Sequence, residues 1–168
     1  MAEDVTDDGV PGPVVDGAGL RVAVLAARFN GRVTVRLLDG VLRGLAAGGV
    51  ADADITVRWV AGAFELPTLA RAWALGGRVD AIVAVGCVIR GETAHFDLVA
   101  GQCAAGLQRV ALDTGVPTIF GALTTEDLDQ ALARSEGPGG HNVGEEGALA
   151  AVELVRLVRE AGAGGATG

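Results

Sequence analysis

Hydrophobic positions in the central part of the chain form short continuous runs that alternate with runs at helical spacing. The continuous runs predict four buried strands at Arg21–Ala27, Ile55–Val60, Ala81–Ile89 and Thr118–Leu123. Apolar residues three or four positions apart predict helices at Thr34–Ala47 and Leu66–Leu75, a long helix from Phe96 towards Gly115, a short helix capped by Thr124 or Thr125, and a last helix through Leu149–Val158. Strands that are apolar on both faces and alternate with helices predict an α/β fold with a parallel sheet covered on both sides.

The two ends of the chain differ from this central pattern. Residues 1–19 are acidic and rich in Gly and Pro, which predicts a flexible arm. Residues 161–168 consist almost entirely of Gly and Ala, which predicts a disordered tail. No internal repeat or linker interrupts residues 20–160, so we expect one domain there.

Composition and charge exclude several classes of function. The net charge of −8 argues against a nucleic-acid partner, and the longest apolar stretch, Ala81–Ile89, is far shorter than the roughly 20 residues of a membrane span. All 13 basic residues are Arg, which excludes a lysine Schiff base and a P-loop lysine. Ser135 is the only serine, so a serine nucleophile is disfavoured. Cys87 and Cys103 form neither a disulfide framework nor a zinc motif, which favours a reduced, cytoplasmic compartment and no metal.

Four segments follow or end the predicted strands, where ligands bind in open parallel sheets. They are Arg28-Phe29-Asn30, Gly62-Ala63-Phe64-Glu65-Leu66-Pro67, Arg90-Gly91-Glu92-Thr93-Ala94-His95 and Phe120-Gly121. Free N–H groups at the start of a helix after Gly91 would suit an anion, although a plain tight turn explains the same sequence. His95 suits proton transfer, but it equally fits a surface histidine.

The other candidate residues also have structural explanations. Glu65 could bind ligand hydroxyls or simply occupy the first turn of the next helix. Phe29 and Phe120 could stack on a ring or belong to the core. Arg134 ends the short helix, where a cation is favoured by the helix dipole without any ligand. Asp97 or Glu92 could orient His95, and the sequence does not decide between them.

Taken together, these segments make the sequence resemble the lumazine synthase family from about Leu20 to Val158. The resemblance rests on Arg28-Phe29-Asn30, on Gly62–Pro67, on the run from Val88 and Ile89 through Arg90 to Asp97, and on Phe120–Glu126. It implies a three-layer sandwich with a four-stranded parallel sheet in flavodoxin-like order and an N-terminal arm that adds to a neighbouring subunit. It also implies an enzyme of riboflavin biosynthesis, a transferase that needs no cofactor or metal. The implied reaction condenses 5-amino-6-ribitylamino-uracil with 3,4-dihydroxy-2-butanone 4-phosphate to 6,7-dimethyl-8-ribityllumazine, phosphate and water.

The resemblance also implies a role for each matched position. His95 corresponds to the proton-transfer residue, and Phe29 to the residue that stacks on the pyrimidine. Glu65 corresponds to the group on the ribityl hydroxyls, and Arg134 to the arginine that pairs with the phosphate. The remaining implied substrate-binding positions are Asn30, Ala63, Phe64, Val88, Ile89, Gly91, Glu92, Thr93 and Phe120, the last contributed by the adjacent subunit.

The segment Ser135–Gly144 departs from the family pattern. Val143 stands where the family commonly has Lys, and the loop is one residue longer; His141 is a partial substitute or, more simply, a surface residue. Because the shorter Lys-containing loop tends to accompany sixty-subunit shells, the altered loop favours a homopentamer over such a shell. Two other functions stay open: a flavin- or lumazine-binding protein without catalysis, and a riboflavin synthase that dismutates two lumazines.

Overall fold

The fold is built around one parallel sheet, which the computed structural model describes together with its helices for residues 9–163. The strands are β1 (Val22–Ala27), β2 (Ile55–Val60), β3 (Ala81–Ile89) and β4 (Thr118–Thr125). The α-helices are α1 (Gly31–Ala47), α2 (Leu66–Leu75), α3 (His95–Thr114), α4 (Leu128–Leu132) and α5 (Val143–Ala163). Short 3-10 helices at Asp52–Asp54 and Ala63–Glu65 flank β2.

The uniform hydrophobicity of the inner strands is explained by helices on both faces of the sheet. Along β1, Val22, Val24 and Ala26 pack with α1, α4 and α5, whereas Ala23, Leu25 and Ala27 pack with α2 and α3. Successive strand residues point to opposite faces, so both faces need apolar side chains. The predicted α/β three-layer sandwich is therefore confirmed.

The strands are ordered β2-β1-β3-β4, and all neighbours are parallel. The chain moves to one side of β1 to form β2 and to the other side to form β3. The carboxyl ends of β1 and β3 thus form a switch point, where an open crevice lies between the diverging connections. This flavodoxin-like order is the one that the resemblance implied.

Several boundaries differ from the sequence-based prediction, including β1, which begins one residue late at Val22, and α5, which begins at Val143, ahead of the predicted Leu149. Helix α1 begins three residues early, at Gly31. Strand β4 continues to Thr125 because Val88 and Ile89 of β3 pair with Thr124 and Thr125. The cap of α4 is therefore neither Thr124 nor Thr125 but Asp127, whose side chain accepts a hydrogen bond from the Gln130 N–H. The prediction of a threonine cap was wrong because strand pairing determines where β4 ends.

The segments at the two ends partly contact the domain. The Gly17 N–H donates to the Gly48 carbonyl at 2.7 Å, and the Arg156 guanidinium donates to the Asp16 and Ala18 carbonyls at 2.6 and 3.0 Å. Helix α5 extends to Ala163, two residues past the predicted start of the tail at residue 161. Residues 1–8 of the predicted arm and 164–168 of the predicted tail lie outside the described residues.

Candidate active site at the carboxyl ends of the strands

At the switch point, the side chain of Asn30 connects the segment after β1 to β3. Its amide Nδ2–H donates to the Cys87 carbonyl of β3 at 2.9 Å, so it links the ends of β1 and β3. Asn30 has φ 56° and ψ 37°, a left-handed conformation that asparagine tolerates better than most residues, and α1 starts directly after it. The preceding Phe29 is held by a hydrogen bond from its N–H to the Ala61 carbonyl at 3.0 Å. Its ring is 72% exposed and is available as a flat apolar face.

The turn after β2 brings a carboxylate to the same edge of the sheet. Glu65 Oε2 accepts a hydrogen bond from the Gly62 N–H at 3.0 Å, which closes the turn through Ala63 and Phe64. Ala63 is buried, whereas the Phe64 ring is exposed. Glu65 ends the 3-10 turn and directly precedes α2, so it does not occupy the first turn of that helix as its structural explanation supposed. Its Oε1 makes no hydrogen bond within residues 9–163.

The loop after β3 carries backbone N–H groups at the start of a long helix. Val88 and Ile89 are half-buried at the end of β3, and Gly91–Ala94 are exposed. Helix α3 begins at His95 without a side-chain cap from Ala94. Within residues 9–163, the backbone N–H groups of this first turn make one hydrogen bond to a side chain, from the His95 N–H to Thr93 Oγ1 at 3.4 Å. The unsatisfied N–H groups and the helix dipole together favour an anion here.

Arg90 connects this loop to two neighbouring segments, and sequence analysis did not assign it a role. Its guanidinium lies 3.2 Å from Asp97 Oδ1 and 2.9 Å from Glu126 Oε2, and it stacks on Phe96 with 4.2 Å between Cζ and the ring centre. The hydrogen bond to Glu126 and the charges of both carboxylates raise the pKa of Arg90. Asp97 is thus paired with Arg90, and within residues 9–163 neither Asp97 nor Glu92 makes a hydrogen bond to the His95 imidazole.

Phe120 lies away from the carboxyl edge, contrary to the sequence-based expectation that it follows the fourth strand. It pairs with Ala84, while β3 continues to Ile89. At about 3.3 Å per residue, Phe120 is about 16 Å from the carboxyl end of β3. The expectation was wrong because Phe120 is the third residue of β4, and five more residues of that strand follow it before the strand ends at Thr125. Strand β4 is an edge of the sheet, and the Phe120 ring is 39% exposed there.

Arg134 follows α4 and is oriented by the backbone. Its Nη1–H donates to the Gln130 carbonyl at 2.9 Å, the C-terminal helix contact that explains it without a ligand. Its own carbonyl accepts from the Val143 N–H at 3.0 Å. Val143 is half-buried against the apolar cluster beneath α1 and α5, and the exposed His141 imidazole lies 3.2 Å from Glu146. Neither residue therefore reproduces a lysine side chain that extends into solvent.

The carboxyl edge of β2, β1 and β3 brings together most of the predicted residues. They are Phe29, Asn30, Ala63, Phe64, Glu65, Val88, Ile89, Gly91, Glu92, Thr93 and His95. Within residues 9–163, no group of three or more His, Cys, Asp or Glu side chains has the arrangement of a metal site. In the same range, no helix is both long enough and apolar enough to span a bilayer.

An aromatic face, a carboxylate, an open helix start and an imidazole at one switch point define an α/β enzyme for a small ring-containing or anionic substrate. Comparison with known proteins agrees. A family model described as 6,7-dimethyl-8-ribityllumazine synthase matches residues 19–159. A protein of Edwardsiella ictaluri (strain 93-146) named 6,7-dimethyl-8-ribityllumazine synthase is 49% identical over 147 residues, which cover 87% of this chain and 94% of that protein.

The chain therefore belongs to the 6,7-dimethyl-8-ribityllumazine synthase family, as its motifs predicted. The prediction of a transferase that forms dimethylribityllumazine in riboflavin biosynthesis is confirmed at the level of this family.

Proposed function

We propose that the carboxyl edge of the sheet binds both substrates of the family's condensation, a ribityl-pyrimidine and a butanone phosphate. The observation that carries this proposal is the convergence of Phe29, the Glu65 turn and the start of α3 at the β1/β3 switch point. The reaction joins two molecules, so holding them together supplies much of the acceleration through proximity. No protein amine is needed, because the imine forms between the two substrates.

The pyrimidine ring stacks on Phe29, and its ribityl chain reaches the turn after β2. A largely exposed aromatic ring at a switch point is available for stacking on a flat heterocycle. Glu65 uses Oε2 for the Gly62 N–H and keeps Oε1 for substrate hydroxyls. Asn30, Ala63 and Phe64 shape this half of the site, with Val88 and Ile89 forming its floor.

The phosphate binds at the start of α3, beside the residue that transfers protons. The Gly91–Thr93 segment directly precedes a helix start without a side-chain cap, so an anion bound there would accept from free N–H groups and complement the dipole. His95, the first residue of α3, donates and accepts protons during imine formation, phosphate elimination and ring closure. Arg134 supplies a guanidinium for the phosphate before and during its departure.

Each complete site requires two copies of the chain. Phe120 is about 16 Å from the carboxyl edge of its own sheet, at a rise of about 3.3 Å per residue, so it serves a neighbouring copy. It is exposed on the edge strand β4, where a partner can approach. We propose a cytoplasmic homopentamer, with a sixty-subunit shell as the alternative, in which the N-terminal arm adds to a neighbouring subunit and no nucleic acid takes part.

Two variants separate the proposed roles of His95 and Arg134. His95→Ala should lower kcat while the affinity for a non-reactive pyrimidine analogue is retained. Arg134→Ala should raise KM for the butanone phosphate much more than KM for the pyrimidine, because it removes a charge-assisted contact to phosphate. Arg78→Ala is the matched control, since Arg78 stacks on Trp73 at the amino end of β3. Full activity of Arg134→Ala would refute its role.

A co-assembly experiment tests the shared site. Subunits carrying Phe120→Ala and subunits carrying His95→Ala are unfolded, mixed and reassembled, with each variant reassembled alone as the control. If sites are built from two chains, mixed assemblies contain some sites with neither defect, and activity exceeds that of both controls. Activity equal to the mean of the two controls would indicate that each chain forms its own site.

The altered loop favours one competing function. Because Val143 packs on the core instead of presenting a cation, a protein that binds lumazine or flavin without turnover is the second candidate. Tight riboflavin binding together with absent turnover would support it. Ordinary turnover of both substrates would exclude it.

A further inference from the structure

The start of α3 lacks the contacts that usually fix a helix N-terminus. Ala94 offers no side-chain cap, and the Thr93 hydroxyl is 3.4 Å from the His95 N–H. Residues 91–95 are exposed, and only Phe96 is buried beneath them. An uncapped first turn frays readily, because its N–H groups lack partners. The proposed proton-transfer residue His95 nevertheless stands in this turn and needs a fixed orientation.

Arg90 holds this turn from outside the helix through side chains, since a guanidinium has no acceptor for the free N–H groups. Its guanidinium covers the Phe96 ring and pairs with Asp97, so it contacts the two residues that directly follow His95. Its Nε–H donates to the Glu126 carboxylate at the end of β4, and its backbone N–H donates to the Thr125 carbonyl at 2.9 Å. The Arg90 clamp, which consists of Arg90, Phe96, Asp97 and Glu126, thus ties the start of α3 to the β4–α4 turn.

The same contacts continue to Arg134. The Glu126 N–H donates to Gln130 Oε1 at 3.0 Å, and the Gln130 carbonyl accepts from the Arg134 guanidinium at 2.9 Å. The helix start that carries His95 and the segment after α4 that carries Arg134 are therefore connected through Glu126 and Gln130. A guanidinium suits this task because its planar fork can engage two carboxylates and stack on a ring at once.

We propose that Arg90 is a positioning residue for the reaction: it holds the first turn of α3, and with it His95 and the Gly91–Thr93 loop, in the orientation required for turnover. This inference rests on the proposed function of His95. It does not depend on Arg90 touching substrate. Exposed ion pairs contribute little to global stability, so the effect of Arg90 appears in turnover rather than in unfolding.

The first test compares kcat and KM for Arg90→Gln, Glu126→Gln and the double variant, with Arg78→Gln as the control for an exposed arginine stacked on an aromatic ring. If loss of the clamp moves His95 by a fraction of an ångström, kcat of Arg90→Gln should decrease about tenfold, because turnover depends steeply on the placement of reacting groups. KM for the pyrimidine and the unfolding midpoint should stay at wild-type values. Glu126→Gln should have a smaller effect, and the double variant should match Arg90→Gln, because both changes break the same clamp.

The second test measures positioning without turnover. Amide hydrogen exchange in full-length Arg90→Gln should accelerate in residues 91–98 and stay unchanged in β1, α1 and α5. Wild-type kcat in Arg90→Gln, additive effects in the double variant, or exchange that accelerates throughout the chain would each overturn the proposal. If the wild-type protein shows no turnover, the proposed function fails, and unchanged exchange in residues 91–98 would overturn the role of Arg90 separately.

Discussion

Replacing Asn142 by Ala should destabilise the fold more than any surface substitution in the same loop. The side chain of Asn142 is 2% exposed and makes four hydrogen bonds. Its Nδ2–H groups donate to the Arg36 and Glu136 carbonyls at 3.1 and 2.8 Å. Its Oδ1 accepts from the Gly144 and Glu145 N–H groups at 2.9 and 3.2 Å, which caps α5. One amide therefore joins α1, the 135–142 loop and α5.

The magnitude follows from these four contacts. Loss of an asparagine cap costs about 1 kcal/mol. Each of the two donated hydrogen bonds contributes about 1 kcal/mol net in a buried setting. Asn142→Ala loses the cap and both donated hydrogen bonds, so it should lower the free energy of unfolding by about 3 kcal/mol. Asn142→Asp keeps the capping oxygen but turns a donor into an acceptor facing two carbonyls, so it should also destabilise.

Urea unfolding at a fixed protein concentration measures this effect, because the concentration of an oligomer affects its apparent stability. Gln108→Ala, which truncates an exposed amide on α3, is the control and should change the free energy of unfolding by no more than about 0.5 kcal/mol. If Asn142→Ala equals this control, the 135–142 loop is not held by its amide, and the orientation of Arg134 through the Val143 N–H needs another explanation.

Three further predictions concern the rest of the fold. Burial acts to raise the pKa of Asp80, but hydrogen bonds from Arg21 and the charges of Arg21 and Arg159 outweigh it, so the pKa lies below 3.8. The ionised Asp80 therefore stabilises the folded state above about pH 4, and this stabilisation is lost as the pH falls through the lowered pKa. The free energies of unfolding of Asp80→Asn and of the wild type, measured with urea, should converge over that pH range. Burial raises the pKa of Cys87 and of Cys103 to about 11, so a disulfide reagent at neutral pH should label neither thiol in folded protein and both after unfolding. A Cβ at Gly144 would overlap the Leu37 carbonyl, so Gly144→Ala should lower the free energy of unfolding by about 2 kcal/mol. Gly101→Ala is the control, because a Cβ at Gly101 meets open space and should not destabilise the protein in the same assay.

Local patterns in the sequence predicted most of the fold. The bounds of β2, α2 and β3 and the end of α1 were predicted correctly, because apolar spacing and the Gly-Gly pairs after Leu75 and Ala47 are local signals. The start of α1 was missed because it depends on the left-handed Asn30, whose amide is held by Cys87, 57 positions further along the chain. The end of β4 was missed for a similar reason, since pairing with β3 extends it to Thr125.

The residues of the candidate site also fall into those that local sequence predicted and those that depend on distant contacts. Phe29, Glu65 and His95 were predicted at strand ends by position, and the family resemblance supplied their chemistry. Arg90 was not assigned, because its partner Glu126 is 36 positions away and nothing in the spacing indicates the pair. The depth of Phe120 along β4 depends on register, which the sequence of one strand does not specify.

The most direct test of the proposed site is a turnover measurement on the wild-type protein with both substrates. Lumazine fluorescence and released phosphate are followed together, and His95→Ala is measured alongside. We expect one phosphate for each 6,7-dimethyl-8-ribityllumazine from the wild type and a much lower rate from His95→Ala. No product from correctly assembled wild-type protein would contradict the proposed site, and so would an undiminished rate in His95→Ala.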